Sequence, residues 1–362
     1  MANLIDEARK IINEVDAEMA KLFVKRMRAA EMVAKFKREH GMKILDPTRE
    51  AEVVKKNSAL VDDEVLREYY VSFLQNNMAV SRAYQDRLIS GMKVAYCGTE
   101  GAYAHIAASR LYPTARKIAY SDFLGAYKAV ESGECDVCVL PIENSLGGDV
   151  GQVTDLMFSG TLYINGITEL SVEHTLVGCK GASRDTVKEV VSHPQALGQC
   201  SEYLHERGYS QHEYANTALA ARYVAEKADP TVAAIASKEA AEIFGLEIIE
   251  TNISQTKTNT TRFAVFSRSL HEHKLTEMGV HTVMLFTVRN EAGALAKAID
   301  VIGKHGFNMR TLRSRPMKEL LWQYYFYVEA EGNIYTSEGT AMLEELELYC
   351  DRLKPIGTYI KQ

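Results

Sequence analysis

At 362 residues, 46% hydrophobic and 25% charged, the chain is long enough for two or three domains with real cores and does not read as disordered. A formal net charge of −6 supplies no global basic field, which speaks against nucleic acid as a partner. No apolar run approaches the ~18 residues of a membrane span, and the early charges Asp6, Glu7, Arg9 and Lys10 argue against a secretory leader. Cys97, Cys135, Cys138, Cys179, Cys200 and Cys350 are scattered through apolar surroundings, as in a reduced cytoplasmic protein. Cys135 and Cys138 lie in a strand-like run with no second pair at zinc spacing, so they are read as packing residues. No metal or cofactor is expected.

Residues 1 to about 90 read as helical. Apolar residues recur at three and four spacing through Ile5, Ala8, Ile12, Val15, Met19, Leu22 and Phe23. His40-Gly41-Met42 breaks the first helix, and Asp46-Pro47 opens a second with Asp46 as N-cap and Pro47 at the first helical position. A third helix is expected from about Asp63 to Leu88, ended by Ser90-Gly91. Arg26 and Lys37 are 11 residues apart and point the same way within roughly 20°. Arg9 precedes Arg26 by 17 residues, about 25 Å along a helix axis. No small molecule touches both on one straight helix, so a shared site requires an antiparallel helical dimer.

From Lys93 to about Arg268, short β-rich runs alternate with helical patterns. The runs are 93–96, 137–140, 175–178, 189–192, 233–235 and 263–267. This predicts an α/β domain, and its length predicts two lobes with a cleft between them. From Val280 onward a βαββαβ pattern appears, with strands at 281–288, 307–314, 321–329 and 355–359 and helices at 294–304 and 336–348. The polar link 271–274 separates it from the α/β domain. The expected domains are therefore 1–91, all-α; 92–270, two-lobed α/β like solute-binding proteins; and 279–362, α+β and ferredoxin-like.

The motifs sharpen this. Asn259-Thr260-Thr261-Arg262-Phe263 sets a hydroxyl, a guanidinium and a ring side by side before an apolar run, a pattern suited to a small anionic substrate. Three more clusters precede it: Gly98 to His105, Pro141-Ile142-Glu143-Asn144-Ser145, and Ser192-His193-Pro194-Gln195-Ala196 with Gln199. Together they resemble the prephenate dehydratase family. That resemblance implies loss of the ring hydroxyl and CO2, with Thr261 as the hydrogen-bond donor to the departing oxygen and Glu143 as its competitor. It also implies Arg262 on the pyruvyl carboxylate, and Asn144, Ser192, Gln199 and Phe263 around the substrate. His105 and His193 are read as structural turn histidines.

The helical module resembles the all-helical chorismate mutase family through Arg9, Arg26, Lys37, Asp46 with Arg49-Glu50, and Ser81 with Gln85. The resemblance implies that Arg9 and Arg26 bind the two carboxylates while Lys37 and Gln85 face the ether oxygen. The C-terminal module resembles ACT domains through Gly293-Ala294-Leu295 and Ser314-Arg315-Pro316, where family members carry Glu at the position of Arg313. It implies phenylalanine as effector at a seam between paired copies, in a dimer or tetramer. The expected function is a bifunctional enzyme acting on chorismate and prephenate under feedback control. A non-catalytic ligand-binding regulator and an arogenate dehydratase stand as alternatives.

Overall fold

The computed structural model describes residues 2–256, 258–270, 279–317 and 323–360. The expected link at 271–274 and the start of the strand expected at 321 lie outside the described residues. The chain divides into two compact units, Met1–Lys93 and Val94–Gln362.

The first unit is three helices, α1 (Ala2–Glu39), α2 (Pro47–Ser58) and α3 (Glu64–Ser90). Asp46 caps α2 by accepting from Arg49 N at 3.0 Å, and Asp63 caps α3 by accepting from Val65 N and Leu66 N at 2.9 and 3.0 Å. Gly91, at φ 79°, ends α3. The C-terminal half of α1 packs on α3, burying Met27, Ala30 and Ala34 together with Leu74 and Met78. The N-terminal half leaves Ile5, Ile12, Val15, Met19 and Phe23 exposed, at 41–58%.

The second unit opens with β1 (Lys93–Cys97), α4 (Tyr103–Leu111), β2 (Arg116–Tyr120), α5 (Phe123–Glu131), β3 (Val137–Asn144), β4 (Gly148–Asp149), α6 (Gly151–Ser159) and β5 (Tyr163–Ser171). The chain then builds a second lobe from β6 (Thr175–Gly178), β7 (Glu189–Ser192), α7 (Pro194–Gln199), α8 (Ser201–Arg207), β8 (Ser210–Glu213), α9 (Thr217–Lys227), β9 (Val232–Ala236), α10 (Lys238–Phe244) and β10 (Glu247–Glu250). It returns to the first lobe through β11 (Thr260–Ser267). The second lobe's sheet runs β10-β6-β9-β7-β8.

The remaining elements are β12 (Val280–Val288), α11 (Ala294–Lys304), β13 (Asn308–Pro316), β14 (Tyr324–Glu331), α12 (Ser337–Glu347) and β15 (Cys350–Ile360), the expected βαββαβ order. Their sheet is continuous with that of the first lobe: β13-β14-β12-β15-β5-β11-β3-β1-β2, with β4 beside β3. The join is one parallel pair, Gly357 opposite Ile164. One core serves both sides of it, with Tyr127, Leu140, Met157 and Phe266 from the lobe and Leu285, Tyr325 and Tyr359 from the C-terminal strands. The other face of the C-terminal sheet packs on α11 and α12 through Phe286, Val301, Val328 and Met342.

Candidate active sites

In the helical unit Arg26 reaches from α1 to α3, donating to Asn77 O at 3.3 Å and to Ser81 Oγ. Gln85 lies one turn beyond Ser81 on the same face and is buried; among the described residues its Oε1 has no partner. Lys37 donates to Ile44 O in the loop after α1. Arg9 is exposed on the far half of the 38-residue α1. Three expected contacts are redirected. Asp46 is occupied as the α2 cap, Arg49 pairs with Glu52 at the surface at 3.1 Å, and Glu50 pairs with Arg82.

In the second unit a cavity of about 380 Å³ is lined from both lobes, with Asn144, Gly147, Asp149, Asn259 and Thr261 on one side and His193, Gln195, Gln199 and Asn216 on the other. A chain of hydrogen bonds crosses it. Asn144 Nδ2 donates to Thr261 Oγ1 at 2.9 Å and to Asn259 Oδ1 at 2.8 Å. Asn259 Nδ2 donates to Gln199 Oε1 at 3.1 Å, which also lies 2.6 Å from His174 Nε2. An amide oxygen only accepts, so Nε2 carries the imidazole hydrogen. Burial lowers the His174 pKa, partly offset by the Gln199 bond, which keeps the ring neutral. The Asn144 carbonyl is held in turn by Leu146 N and Gly147 N at 3.0 and 2.8 Å. Because Thr261 Oγ accepts from Asn144, its own hydrogen is left to donate into the cleft.

No lysine or arginine is among the described lining residues. Backbone donors take their place. Ala102 and Val150, the N-caps of α4 and α6, make no side-chain cap bond, so no cap side chain stands between the cleft and the first-turn N–H groups of these helices, although Val153 N is already given to Val150 O at 2.9 Å.

Strand alternation corrects two expectations. Thr261 pairs with Asn144 across β3 and Arg262 with Glu143, so the second pair projects from the opposite face of the sheet. There Arg262 donates to Glu143 Oε2 at 3.1 Å, to both oxygens of Glu329 at 3.0 and 2.8 Å, and to Tyr359 OH at 3.0 Å. Burial works against the Arg262 charge, but the Glu329 bonds and charge outweigh it and raise the pKa. Burial likewise opposes ionisation of Glu329, and Arg262 and Tyr359 outweigh it and hold the carboxyl below its usual range. Glu143 is bound by Arg262 and Arg313, away from Thr261. Ser192 and Phe263 are also redirected. Ser192 is fully buried and donates to Ile235 O at 2.7 Å, and Phe263 is buried at 2% exposure; neither lines the cleft.

His174 and Asn259 complete the cleft network, and sequence reasoning gave neither a role. Asn259 sits within the motif quoted above, whereas His174 belongs to no motif. His193 caps α7, with Gln195 N 3.3 Å from its Nδ1, and His105 Nδ1 accepts from Gly101 N at 3.3 Å.

In the C-terminal elements Gly293, left-handed at φ 82°, precedes α11, and Ala294 is the first residue of that helix. Leu295 lines a cavity of about 370 Å³ with Met317, Tyr324 and Phe326. Ser314 pairs with Phe326 across β14, and Pro316 and Met317 border an adjoining cavity. Arg315 departs from the expected effector position: it is engaged by Asp149 at 2.9 Å and Asp155 at 3.1 Å.

The sequence model of prephenate dehydratase matches residues 94–270, and that of chorismate mutase type II matches residues 8–86. A bifunctional chorismate mutase/prephenate dehydratase from Neisseria gonorrhoeae is 31% identical over 99% of this chain and 99% of its own. An arogenate dehydratase/prephenate dehydratase from Arabidopsis thaliana is 33% identical over 75% of this chain and 73% of its own. A prephenate dehydratase from Arthrobacter aurescens, solved in complex with L-Phe, superposes with a TM-score of 0.68 at 24% identity, over 75% of this chain and 90% of that one. Two enzyme modules in order along one chain, and a relative aligned end to end, place this protein in the family of bifunctional chorismate mutase/prephenate dehydratases, enzymes of phenylalanine biosynthesis.

Proposed function

We propose that the two reactions run at physically separate sites, the rearrangement of chorismate in the helical unit and the dehydration of prephenate in the interlobe cleft. The observation that carries the second assignment is the bond from Asn144 Nδ2 to Thr261 Oγ1. It turns a hydroxyl into an aimed donor. Electrons of the bond to the ring carboxylate flow into the ring, CO2 leaves, and the ring C–O bond breaks. The departing oxygen takes up a proton and leaves as water, giving phenylpyruvate. Thr261 stabilises the charge growing on that oxygen, and the neutral His174–Gln199–Asn259 chain fixes the Asn144 amide that orients it. Carboxylates held by helix N–H groups rather than by cations suit this reaction, since a salt bridge to the leaving carboxylate would stabilise the ground state.

The rearrangement is unimolecular: one C–O bond breaks as one C–C bond forms, and the site need only hold the compressed conformer and stabilise the ether oxygen. Arg26, Ser81 and Gln85 converge for this, with Lys37 further along α1. Arg9 joins from a second copy, and the exposed apolar stripe of α1 supports that pairing. Phenylalanine is read as the effector, bound near Leu295 in paired C-terminal modules. The cytoplasm is the proposed compartment. All six cysteines are free thiols, and burial pushes Cys200 and Cys350 up to about 12.

Paired substitutions test the division. Thr261→Ala is expected to lower prephenate turnover by about two to three orders of magnitude while chorismate turnover persists, and Arg26→Ala to do the reverse. Equal loss of both activities in either variant refutes separate sites.

A further inference from the structure

Asp149 is the only carboxylate residue among the described residues lining the cleft, and it is not free. Arg315, on β13 of the C-terminal sheet, holds Asp149 Oδ2 through Nη1 at 2.9 Å. The same guanidinium donates from Nε to Asp155 Oδ1 and to Tyr325 OH, both at 3.1 Å, and Tyr325 OH donates to Asp155 at 2.6 Å. It also lies over the first residue of α6, where a Cβ on Gly151 would meet its Nη1, Nη2 and Cζ at 2.2–2.4 Å. A cation at a helix N-terminus opposes the helix dipole, so this placement depends on the two aspartates. At the other end of α6, Lys354 donates to Met157 O at 2.7 Å and Arg352 to Phe158 O at 3.0 Å, both from β15. The helix whose N-terminus borders the cleft is thus held at both ends by side chains of the C-terminal sheet.

We infer that Arg315 is a positioning and specificity-determining residue of the dehydratase cleft: by holding Asp149 in an ion pair at the start of α6, it leaves no carboxylate for a substrate ammonium. The inference rests on reading the cleft as the dehydratase site. Prephenate and arogenate differ at one carbon of the side chain, keto in the first and ammonium-bearing in the second. An ammonium brought into a cleft without an anionic partner loses its water shell with no charge to compensate it, whereas a keto oxygen can accept from the N–H, amide and hydroxyl donors there. Specificity for the keto acid then arises from a charge withheld rather than from a contact added.

The test uses the full-length protein, with steady-state kinetics on both substrates. In Arg315→Met the arogenate-to-prephenate ratio of kcat/KM is expected to rise by about tenfold or more, the size of one charged hydrogen-bond partner. Gly151→Ala keeps every functional group, and the atoms its Cβ meets most closely are the flexible end of Arg315, so it is expected to move the ratio in the same direction and decides the matter if Arg315→Met fails to fold. Adding Asp149→Asn to Arg315→Met is expected to abolish the gain. A ratio within about twofold of the parent in both single variants overturns the inference, as does a gain that survives Asp149→Asn. Thr261→Ala assayed alongside separates the two ideas. Its inactivity with an unchanged Arg315→Met ratio removes only the role of Arg315, and its full activity removes the cleft assignment itself.

Discussion

Thr261 and Arg262 are neighbours in sequence that serve opposite faces of β11. The hydroxyl meets the cleft, while the guanidinium closes an ion pair with Glu329, whose side chain is 4% exposed against 18% for Arg262. Removing one partner of such a pair strands the other charge, which costs far more than the pair itself contributes. Arg262→Met is therefore expected to lower the unfolding free energy of the second unit by about 3–5 kcal/mol in a denaturant titration. A stable variant with a selectively raised KM for prephenate would instead return Arg262 to the substrate. The motif around Thr261 was legible in the sequence as a candidate site, and Asn259 and Thr261 do line the interlobe cavity. Its handedness was not, because the alternation that divides it shows only once Arg262 has found Glu329, 67 residues away. His174 was invisible for a related reason: it stands alone between strands, and its role comes entirely from Gln199 and Asn259 beside it.

Helices α11 and α12 are tied by Lys304, whose Nζ donates to Glu345 Oε1 at 2.9 Å, and by the imidazole of His305. His305 Nδ1 lies 2.6 Å from Glu338 Oε1 and Nε2 lies 2.9 Å from Glu345 Oε2, an arrangement that needs both ring nitrogens protonated. The bonds to Glu345 and then Glu338 raise its pKa above the ordinary 6.5. A folded-state pKa above the unfolded one gives a contribution that is full below pH 6.5 and lost as pH rises through the raised value. Melting temperature is expected to fall across that window, and His305→Gln to flatten the slope; an unchanged slope would show that the imidazole carries no such linkage. Both helices were readable within the βαββαβ pattern, at 294–304 and 336–348 against the observed Ala294–Lys304 and Ser337–Glu347. Strands β5 and β8 were not. In β5, Asn165 and Gly166 interrupt the alternation, and cover comes from β11 and β15; β8 is an exposed edge, Ser-Gln-His-Glu, with no apolar residue to mark it.

The three-part fold class followed from texture alone, since helical spacing, βα alternation and βαββαβ order occupy successive stretches. The continuity of the catalytic and C-terminal sheets did not, because it depends on one contact between distant strands. Gly357 sits at φ 149°, and a Cβ there would lie 2.1 Å from Ile164 O. Gly357→Ala is expected to cost at least about 1–3 kcal/mol and to weaken the proposed inhibition by phenylalanine, read by denaturation and by inhibitor titration. Unchanged stability and inhibition would show that the seam tolerates a side chain. A last consequence concerns the bare half of α1. On the proposed assignment the dehydratase cleft is finished by one chain, whereas Arg9, about 25 Å from Arg26 along the helix, would complete a mutase pocket only for a neighbour. Progressive dilution should therefore pull the two specific activities apart: phenylpyruvate formation from prephenate per milligram holds constant, while prephenate formation from chorismate per milligram fades in proportion to concentration once most chains are unpaired.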